Sequence, residues 1–458
     1  MPVDLQANAT IAEIDAVVSE SLARWGIPGA TVGVTLDGAT IERAYGVANL
    51  DTGQPVLTES IFRLASISKP FTATLVMTLV DEGLIDLDTP IADYLPALTL
   101  IDSEARATLT MRHLLSHTAG FDCEMPRDVQ RYGSNDDALA ALVRDYDELR
   151  QWTATGELWS YCNSGFWLAG AVVAAVTGVT FEQAMRDRVF TPLGLDRSCY
   201  DAAEAILHPV ALGHDLVSPR RTAHELLRTY AYPRVRRPSG GVISNVRNVL
   251  RFANAHMGIG DASLFSDSTR LAMQEPAVRL RQTSPDFWGI GWEVTEHPQG
   301  RIIGHGGSFG GFQTQLSLVP DKRFAFVVLT NSARGSASFP AIERFMLERF
   351  AGIKITHPAT TPAENAALAG VTGTYQHGVA SVTLTAINGR LQAIASHRNE
   401  QTGEIQSDPA IIFTAIDERE FVALEGASEG ARLEFFDHEG MPNHFVRFGL
   451  RIAERVEA

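Results

Sequence analysis

The chain has 458 residues, 45% apolar and 20% charged, a globular composition long enough for two or three domains at roughly 150 residues each. Its formal charge of −16, with no basic cluster beyond Arg234, Arg236 and Arg237, excludes the electrostatic footprint of a nucleic-acid binder. No apolar run reaches membrane-spanning length and the start lacks the basic and apolar segments of a signal peptide, so a cytoplasmic protein with no membrane partner is expected.

Apolar residues at helical spacing over 9–25 predict a helix ending at Gly26. Strands follow at 30–36 and 40–47, joined by Asp37-Gly38-Ala39, a hairpin signal. From 71 to about 257 the pattern is helical: 71–82, 110–117, 136–144, 163–176, 180–189 and 245–257. Thr180 with Gln183 three residues on reads as a capping box. Strands return at 288–294, at 301–305 before a glycine-rich kink, and at 313–319 and 324–329 around the turn 320–323. A helix at 340–350 closes this part. Strands at both ends with helices between them predict an α+β fold: an antiparallel sheet flanked by the first and last helices, beside an all-helical lobe with a cleft between them. Residues 353–365, with Pro358 and Pro362, read as a linker between a domain of 1–352 and a second of 366–458. The tail carries strand patterns at 379–387 and 390–395 around Asn388-Gly389, then at 411–415, 421–424, 432–436 and 444–451. These predict a small antiparallel β-barrel or sandwich.

The chemistry centres on Ser66-Ile67-Ser68-Lys69-Pro70. Proline has no N–H and is tolerated only in the first turn of a helix, so Ser66 stands at or beside a helix start. Residues three apart on a helix are neighbours, which brings the Lys69 amine within reach of the Ser66 hydroxyl. A serine needs its proton taken before it attacks a carbonyl, and a lysine of lowered pKa can take it. The plain alternative is a capped helix with a solvated lysine. Against it, only three of the 38 basic residues are lysine (Lys69, Lys322 and Lys354), so solvated positive charge here is supplied by arginine.

Two further stretches stand out. Tyr161-Cys162-Asn163 lies at a loop-to-helix junction, where a tyrosine can shuttle a proton and an asparagine can orient both a carbonyl and Lys69. It reads equally as a core tyrosine with Asn163 as N-cap. His305-Gly306-Gly307-Ser308 follows a strand, and its glycines would let a backbone, or a substrate lying as an added strand, approach closely. A bulged edge with a surface histidine is the alternative. The three cysteines Cys123, Cys162 and Cys199 are too few and scattered for a disulfide framework or zinc site. His113 and His117 lie four apart with no acid to complete a ligand set, so no metal or other cofactor is expected.

In this order and separation the three motifs resemble the serine β-lactamase and penicillin-binding-protein superfamily. The resemblance is closest to its class C β-lactamase-like branch of esterases, D-amino-acid peptidases and DD-carboxypeptidases. The stretch from Leu109 to Gly120, that from Tyr161 to Gly178, Thr191-Pro192-Leu193-Gly194-Leu195 and Gly240-Gly241-Val242-Ile243-Ser244 also look like that branch, and the resemblance covers about residues 10–350. It implies Ser66 as nucleophile and Lys69 with Tyr161 as acid/base pair. It implies Asn163, His305, Gly306, Gly307 and Ser308 as substrate-binding, with the Ser66 and Ser308 N–H groups as oxyanion hole. His305-Gly306-Gly307 stands where class C β-lactamases have Lys-Thr-Gly, so a fixed charge for a β-lactam carboxylate is missing. The expected function is a serine hydrolase for a small ester or amide, including one next to a D-amino acid, acting on a small-molecule or short-peptide substrate. The alternative is a penicillin-binding sensor or acyl-transferase with little hydrolytic turnover.

Overall fold

The computed structural model describes residues 4–122, 129–216, 224–228, 230–260, 264–281, 284–361, 363–364, 367–378, 380–398 and 405–456. Cys123, Pro362 and Val379 lie outside the described residues.

The first compact unit is organised on a nine-stranded sheet. Its strands are β1 (Gly29–Leu36), β2 (Ala39–Asn49), β3 (Gln54–Pro55), β4 (Val278–Arg279), β5 (Asp286–Trp288), β6 (Glu293–His297), β7 (Gly300–Phe309), β8 (Phe312–Val319) and β9 (Phe324–Thr330). The order across the sheet is β3-β2-β1-β9-β8-β7-β6-β5-β4, antiparallel throughout. Ala30 faces Thr330 and Leu36 faces Phe324, so strands from the two ends of this unit share one sheet. Asp37 and Gly38 turn the β1–β2 hairpin with φ of 50° and 86°, the two left-handed positions of a type I′ turn.

The main helices of this unit are α1 (Asn8–Trp25), α2 (Ser68–Asp81), α3 (Asn163–Thr177), α4 (Val246–His256) and α5 (Phe339–Met346). Strand β9 is apolar from Phe324 to Leu329 and buried along its whole length, as suits a strand covered on both faces. Phe324, Phe326 and Val328 pack with Ile14 and Val18 of α1 and Ile342 and Met346 of α5. Ala325, Val327 and Leu329 join a core on the other face with Phe71 of α2 and Leu250 of α4. Helix α2 is buried from Ser68 to Leu79, as a helix without a polar stripe must be. Phe71 stacks on Phe252 at 3.8 Å between ring centroids, a pairing that contributes about 0.5–1.5 kcal/mol beyond its burial. Among the described residues no single helix is long and apolar enough to cross a membrane.

Several local expectations change. Residues 288–294 form not one strand but the end of β5, the turn 289–292 and the start of β6: Gly291 takes φ of 76° and its N–H donates to the Leu115 carbonyl at 3.1 Å. No kink follows His305. β7 runs through Gly306 and Gly307 to Phe309, and the reversal comes at Gly310 and Gly311, with φ of 55° and 73°. The expected helix 110–117 ends at Leu115, so His113 and His117 do not share a helical face. The capping box at Thr180 is half made: Thr180 accepts from the Gln183 N–H, but the Gln183 amide donates to Asp187 instead.

The second compact unit is built mainly from 355–458. Eight strands close into an antiparallel barrel: Gly373–His377, Ala380–Ile387, Arg390–Arg398, Ile411–Ala415, Glu420–Val422, Arg432–His438, Met441–Phe448 and Arg451–Val456. A short strand, Ile405–Ser407, adds to one of them. Tyr375, Val382, Leu384, Leu391, Phe413, Leu433, Phe435 and Val446 fill its core. Asn388 and Gly389 make the expected type I′ turn, with φ of 49° and 74°. The expected strand 444–451 is two, because Gly449 takes φ of 64° and turns the chain.

Candidate active site

Ser66 lies in the single 3₁₀ turn Ala65–Ile67 that leads into α2, with Pro70 in the first turn of the helix. Ala65 takes φ of 48°, a left-handed conformation that costs a residue with a Cβ about 1–2 kcal/mol. Three hydrogen bonds hold this bend. The Leu64 N–H donates to the Val242 carbonyl at 2.9 Å, the Thr314 hydroxyl donates to the Leu64 carbonyl at 2.8 Å, and the Val242 N–H donates to Ser68 Oγ at 2.9 Å. Ser68 is thereby turned away from Lys69 and into the structure.

Lys69 is fully buried. Its Nζ lies 3.3 Å from Ser66 Oγ, 2.7 Å from Asn163 Oδ1 and 2.9 Å from the Ser239 carbonyl oxygen. Three acceptors match the three N–H bonds of an ammonium, so the buried charge is satisfied while it touches the serine. Ser239 is fixed in turn: its hydroxyl accepts from Trp167 Nε1 at 2.8 Å. Asn163 is the first residue of α3, and the N-cap is Cys162, whose Sγ accepts from the Gly165 N–H at 3.3 Å. The Asn163 side chain therefore turns to Lys69 and does not cap the helix.

Tyr161 is buried, with its ring centroid 4.6 Å from Lys69 Nζ. It packs against His117, His305 and Trp288, with centroids 4.4, 6.0 and 6.0 Å away. His305 is 5% exposed, not a surface residue. Its Nδ1 lies 2.5 Å from the Gly306 carbonyl oxygen, which makes Nδ1 the protonated nitrogen. Burial first, and then the charge of Lys69, push its pKa down to about 3, so the ring is neutral near pH 7.

Side chains alternate across a strand, so His305 and Gly307 look toward Ser66 while Gly306 and Ser308 are exposed on the other face. A Cβ on Gly307 would sit 2.3 Å from the Leu64 carbonyl oxygen and 3.1 Å from the Ser66 nitrogen. Backbone direction follows from register. Phe309 pairs with Phe312 across the two-residue turn, so Phe309, Gly307 and His305 exchange hydrogen bonds with β8. The N–H and C=O groups of Gly306 and Ser308 then point to the opposite edge. There β6 pairs with β7 only as far as Gly304, and no other described strand covers 305–309. The arrangement offers a hydroxyl on a buried amine and an open strand edge whose Gly307 closely approaches the Ser66 main chain, parts that an acyl transfer to serine uses.

Sequence reasoning brought Ser66, Lys69, Tyr161, Asn163 and His305 to one place, and the structure assembles them there. It missed the Ser239 carbonyl, since no sequence pattern marks a backbone acceptor 170 residues from its donor. It also treated His117 as part of a structural helix.

A family model described as beta-lactamase matches residues 14–351. Penicillin-binding protein 4 of Amycolatopsis lactamdurans is 34% identical over 363 residues, which cover 76% of this chain and 93% of that one. A beta-lactamase of Yersinia enterocolitica is 28% identical over 339 residues, covering 72% and 81% of the two chains. The crystal structure of SurE with D-Leu superposes with a TM-score of 0.74 at 26% identity, covering 98% of this chain and 100% of that one. A match along this much of both sequences makes the chain a member of the β-lactamase family, whose members are serine hydrolases acting through an acyl-enzyme.

Proposed function

We propose that the protein is a serine hydrolase that cleaves a small, uncharged ester or amide, including one next to a D-amino acid, through an acyl-enzyme on Ser66. The observation that carries this is the buried Lys69 amine held between Ser66 Oγ and Asn163 Oδ1, 3.3 and 2.7 Å away. In this reading the serine proton goes either to Lys69 in its neutral amine form or to the Tyr161 phenolate beside the Lys69 ammonium, and the group that takes it returns it to the leaving group. Asn163 orients the carbonyl, and the N–H groups of Ser66 and Ser308 hold the oxyanion. The substrate lies along the free edge of β7 as an added strand, with Gly306 and Gly307 allowing its approach. The likeness to SurE, solved with D-Leu, supports a D-residue beside the scissile bond. The test is a screen of short-chain p-nitrophenyl esters, D-amino-acid amides and one chromogenic cephalosporin. Turnover of at least one ester or amide above the Ser66→Ala background is expected, and none at all would overturn the proposal.

The second reading, a penicillin-binding sensor or acyl-transferase, draws on the relative named a penicillin-binding protein. Intact mass decides between them: steady turnover with little adduct supports the hydrolase, and a lasting stoichiometric adduct supports the sensor.

Selectivity against charged substrates follows from His305. A neutral, buried ring has no charge to attract a carboxylate, and activity on a neutral ester should show no His305 titration between about pH 5 and 8. His305→Lys is expected to raise kcat/KM for a cephalosporin relative to a neutral ester by about tenfold, the effect of roughly 1.4 kcal/mol of new ion pairing. Fast cephalosporin hydrolysis by the natural protein, or an unchanged ratio in the variant, would contradict this.

The barrel unit has a core of its own, and we assign it no chemistry. A chain ending near Ile355 should keep fluorophosphonate labelling of Ser66. Complete loss of labelling in a truncation that still folds would mean that residues 366–458 complete the site.

A further inference from the structure

We propose that His117 is the residue that positions Tyr161, and that it does so from both sides of the tyrosine at once; the proposal rests on Tyr161 being a member of the acid/base pair. His117 leaves α-helical geometry two residues after Leu115, with φ of 60°. That left-handed backbone turns both of its polar groups toward 160–162. Its carbonyl accepts from the Ser160 N–H at 3.0 Å, and its Nδ1 accepts from the Cys162 N–H at 2.9 Å. Residues 160 and 162 flank the tyrosine, so one residue clamps the main chain before and after it.

The second of these bonds comes from the ring and fixes the tautomer: an Nδ1 that accepts from a backbone N–H carries no proton. The ring also lies against the phenol, with centroids 4.4 Å apart and planes tilted by 33°. Phe166, Trp159 and Trp288 pack around the same imidazole at 5.2, 5.9 and 4.8 Å, so the clamp cannot swing aside. His117 is 1% exposed, and what it holds is the main chain on either side of Tyr161 and the tyrosine ring itself, so its effect on the reaction is argued through Tyr161.

The geometry separates three properties that substitution can remove one at a time. Glycine keeps the left-handed backbone but removes ring and acceptor. Asparagine tolerates that backbone and places an amide oxygen near the position of Nδ1, restoring the acceptor without the ring. Tyr161→Phe removes the group on which the clamp acts.

The test measures kcat and KM for p-nitrophenyl acetate in the full chain carrying His117→Gly, His117→Asn, Tyr161→Phe or the double change His117→Gly with Tyr161→Phe. His117→Ala serves as a second loss variant should the glycine form not fold, and thermal melts identify folded variants. His117→Gly is expected to lower kcat by about tenfold to hundredfold with KM unchanged, the cost of an acid/base group displaced by a fraction of an ångström to an ångström. His117→Asn should recover most of that loss. In the Tyr161→Phe background the glycine change should alter kcat by less than about twofold, because coupled residues do not lose activity independently. Losses that multiply in the double variant, or wild-type kcat in a folded His117→Gly, would overturn the clamp while leaving the hydrolase assignment in place. Wild-type kcat in Tyr161→Phe alone would overturn the role of Tyr161, and this proposal with it.

Discussion

Ser66→Ala should lower turnover of p-nitrophenyl acetate by about 10⁴-fold or more, since removing a nucleophile leaves only the catalysis that binding and the oxyanion hole supply. Ser68→Ala should keep most of it. The two serines are two residues apart and differ in what they touch. Ser66 Oγ faces Lys69 Nζ at 3.3 Å, while Ser68 Oγ accepts from the buried Val242 N–H at 2.9 Å. Alanine at 68 leaves that N–H unsatisfied and should cost about 1–3 kcal/mol of stability. Its signature is a lower melting temperature with kcat retained. The reverse pattern, with Ser68→Ala inactive and Ser66→Ala active, would move the nucleophile to Ser68.

The next largest effect is expected at a residue without a side chain. Gly307→Ala should reduce kcat by about 10²–10³-fold, the usual effect of losing one oxyanion donor. A Cβ there would lie 2.3 Å from the Leu64 carbonyl oxygen, 2.3 Å from Thr314 Oγ1 and 3.1 Å from the Ser66 nitrogen. Neither Leu64 nor Thr314 is free to yield, because the Thr314 hydroxyl donates to that same carbonyl at 2.8 Å. The strand or the Ser66 bend must move, and in the proposed mechanism either movement disturbs the oxyanion hole assigned to the Ser66 and Ser308 N–H groups. Gly306→Ala is the comparison: its Cβ would meet nothing in the protein closer than the Thr314 carbonyl oxygen at 3.8 Å, so the Ser66 bend should stay in place and kcat should fall far less than in Gly307→Ala, with any hindrance of substrate approach appearing in KM. Equal activities in the two variants would show that the close approach at 307 has no bearing on catalysis.

Much of this was legible in the sequence, for physical reasons that can be named. Strand β9 and helix α2 are mainly apolar and are buried on all sides over 324–330 and 68–79, and long apolar runs bounded by Gly83 or by the turn 320–323 are hard to misplace. Asp37-Gly38 and Asn388-Gly389 marked their hairpins because few other pairs accept two left-handed residues. The turn at 289–292 was not legible. Trp288, Ile290, Trp292 and Val294 are all buried and alternate as a strand would, and only the packing of Gly291 against Ala73 of α2 shows why the chain reverses there. In the site, the spacing of Ser66 and Lys69 was local and therefore readable. The partners that hold Lys69 were not, because Ser239 offers a carbonyl, which every residue has. His117 lay in a stretch already noted, but its left-handed backbone, unusual outside glycine, is invisible in the sequence. The departure at His305 was readable as a missing charge, and its burial strengthens that point.

The central claim is that Ser66 carries the acyl group during turnover. The direct measurement is rapid acid quenching of the full chain during steady-state hydrolysis of a p-nitrophenyl ester, followed by digestion and mass mapping of the adduct. The account predicts an acyl group on the peptide containing Ser66, localised to that serine, which disappears at least as fast as kcat once substrate is exhausted. An adduct on another residue, or brisk turnover with no trapped acyl-enzyme under quenching faster than kcat, would contradict it.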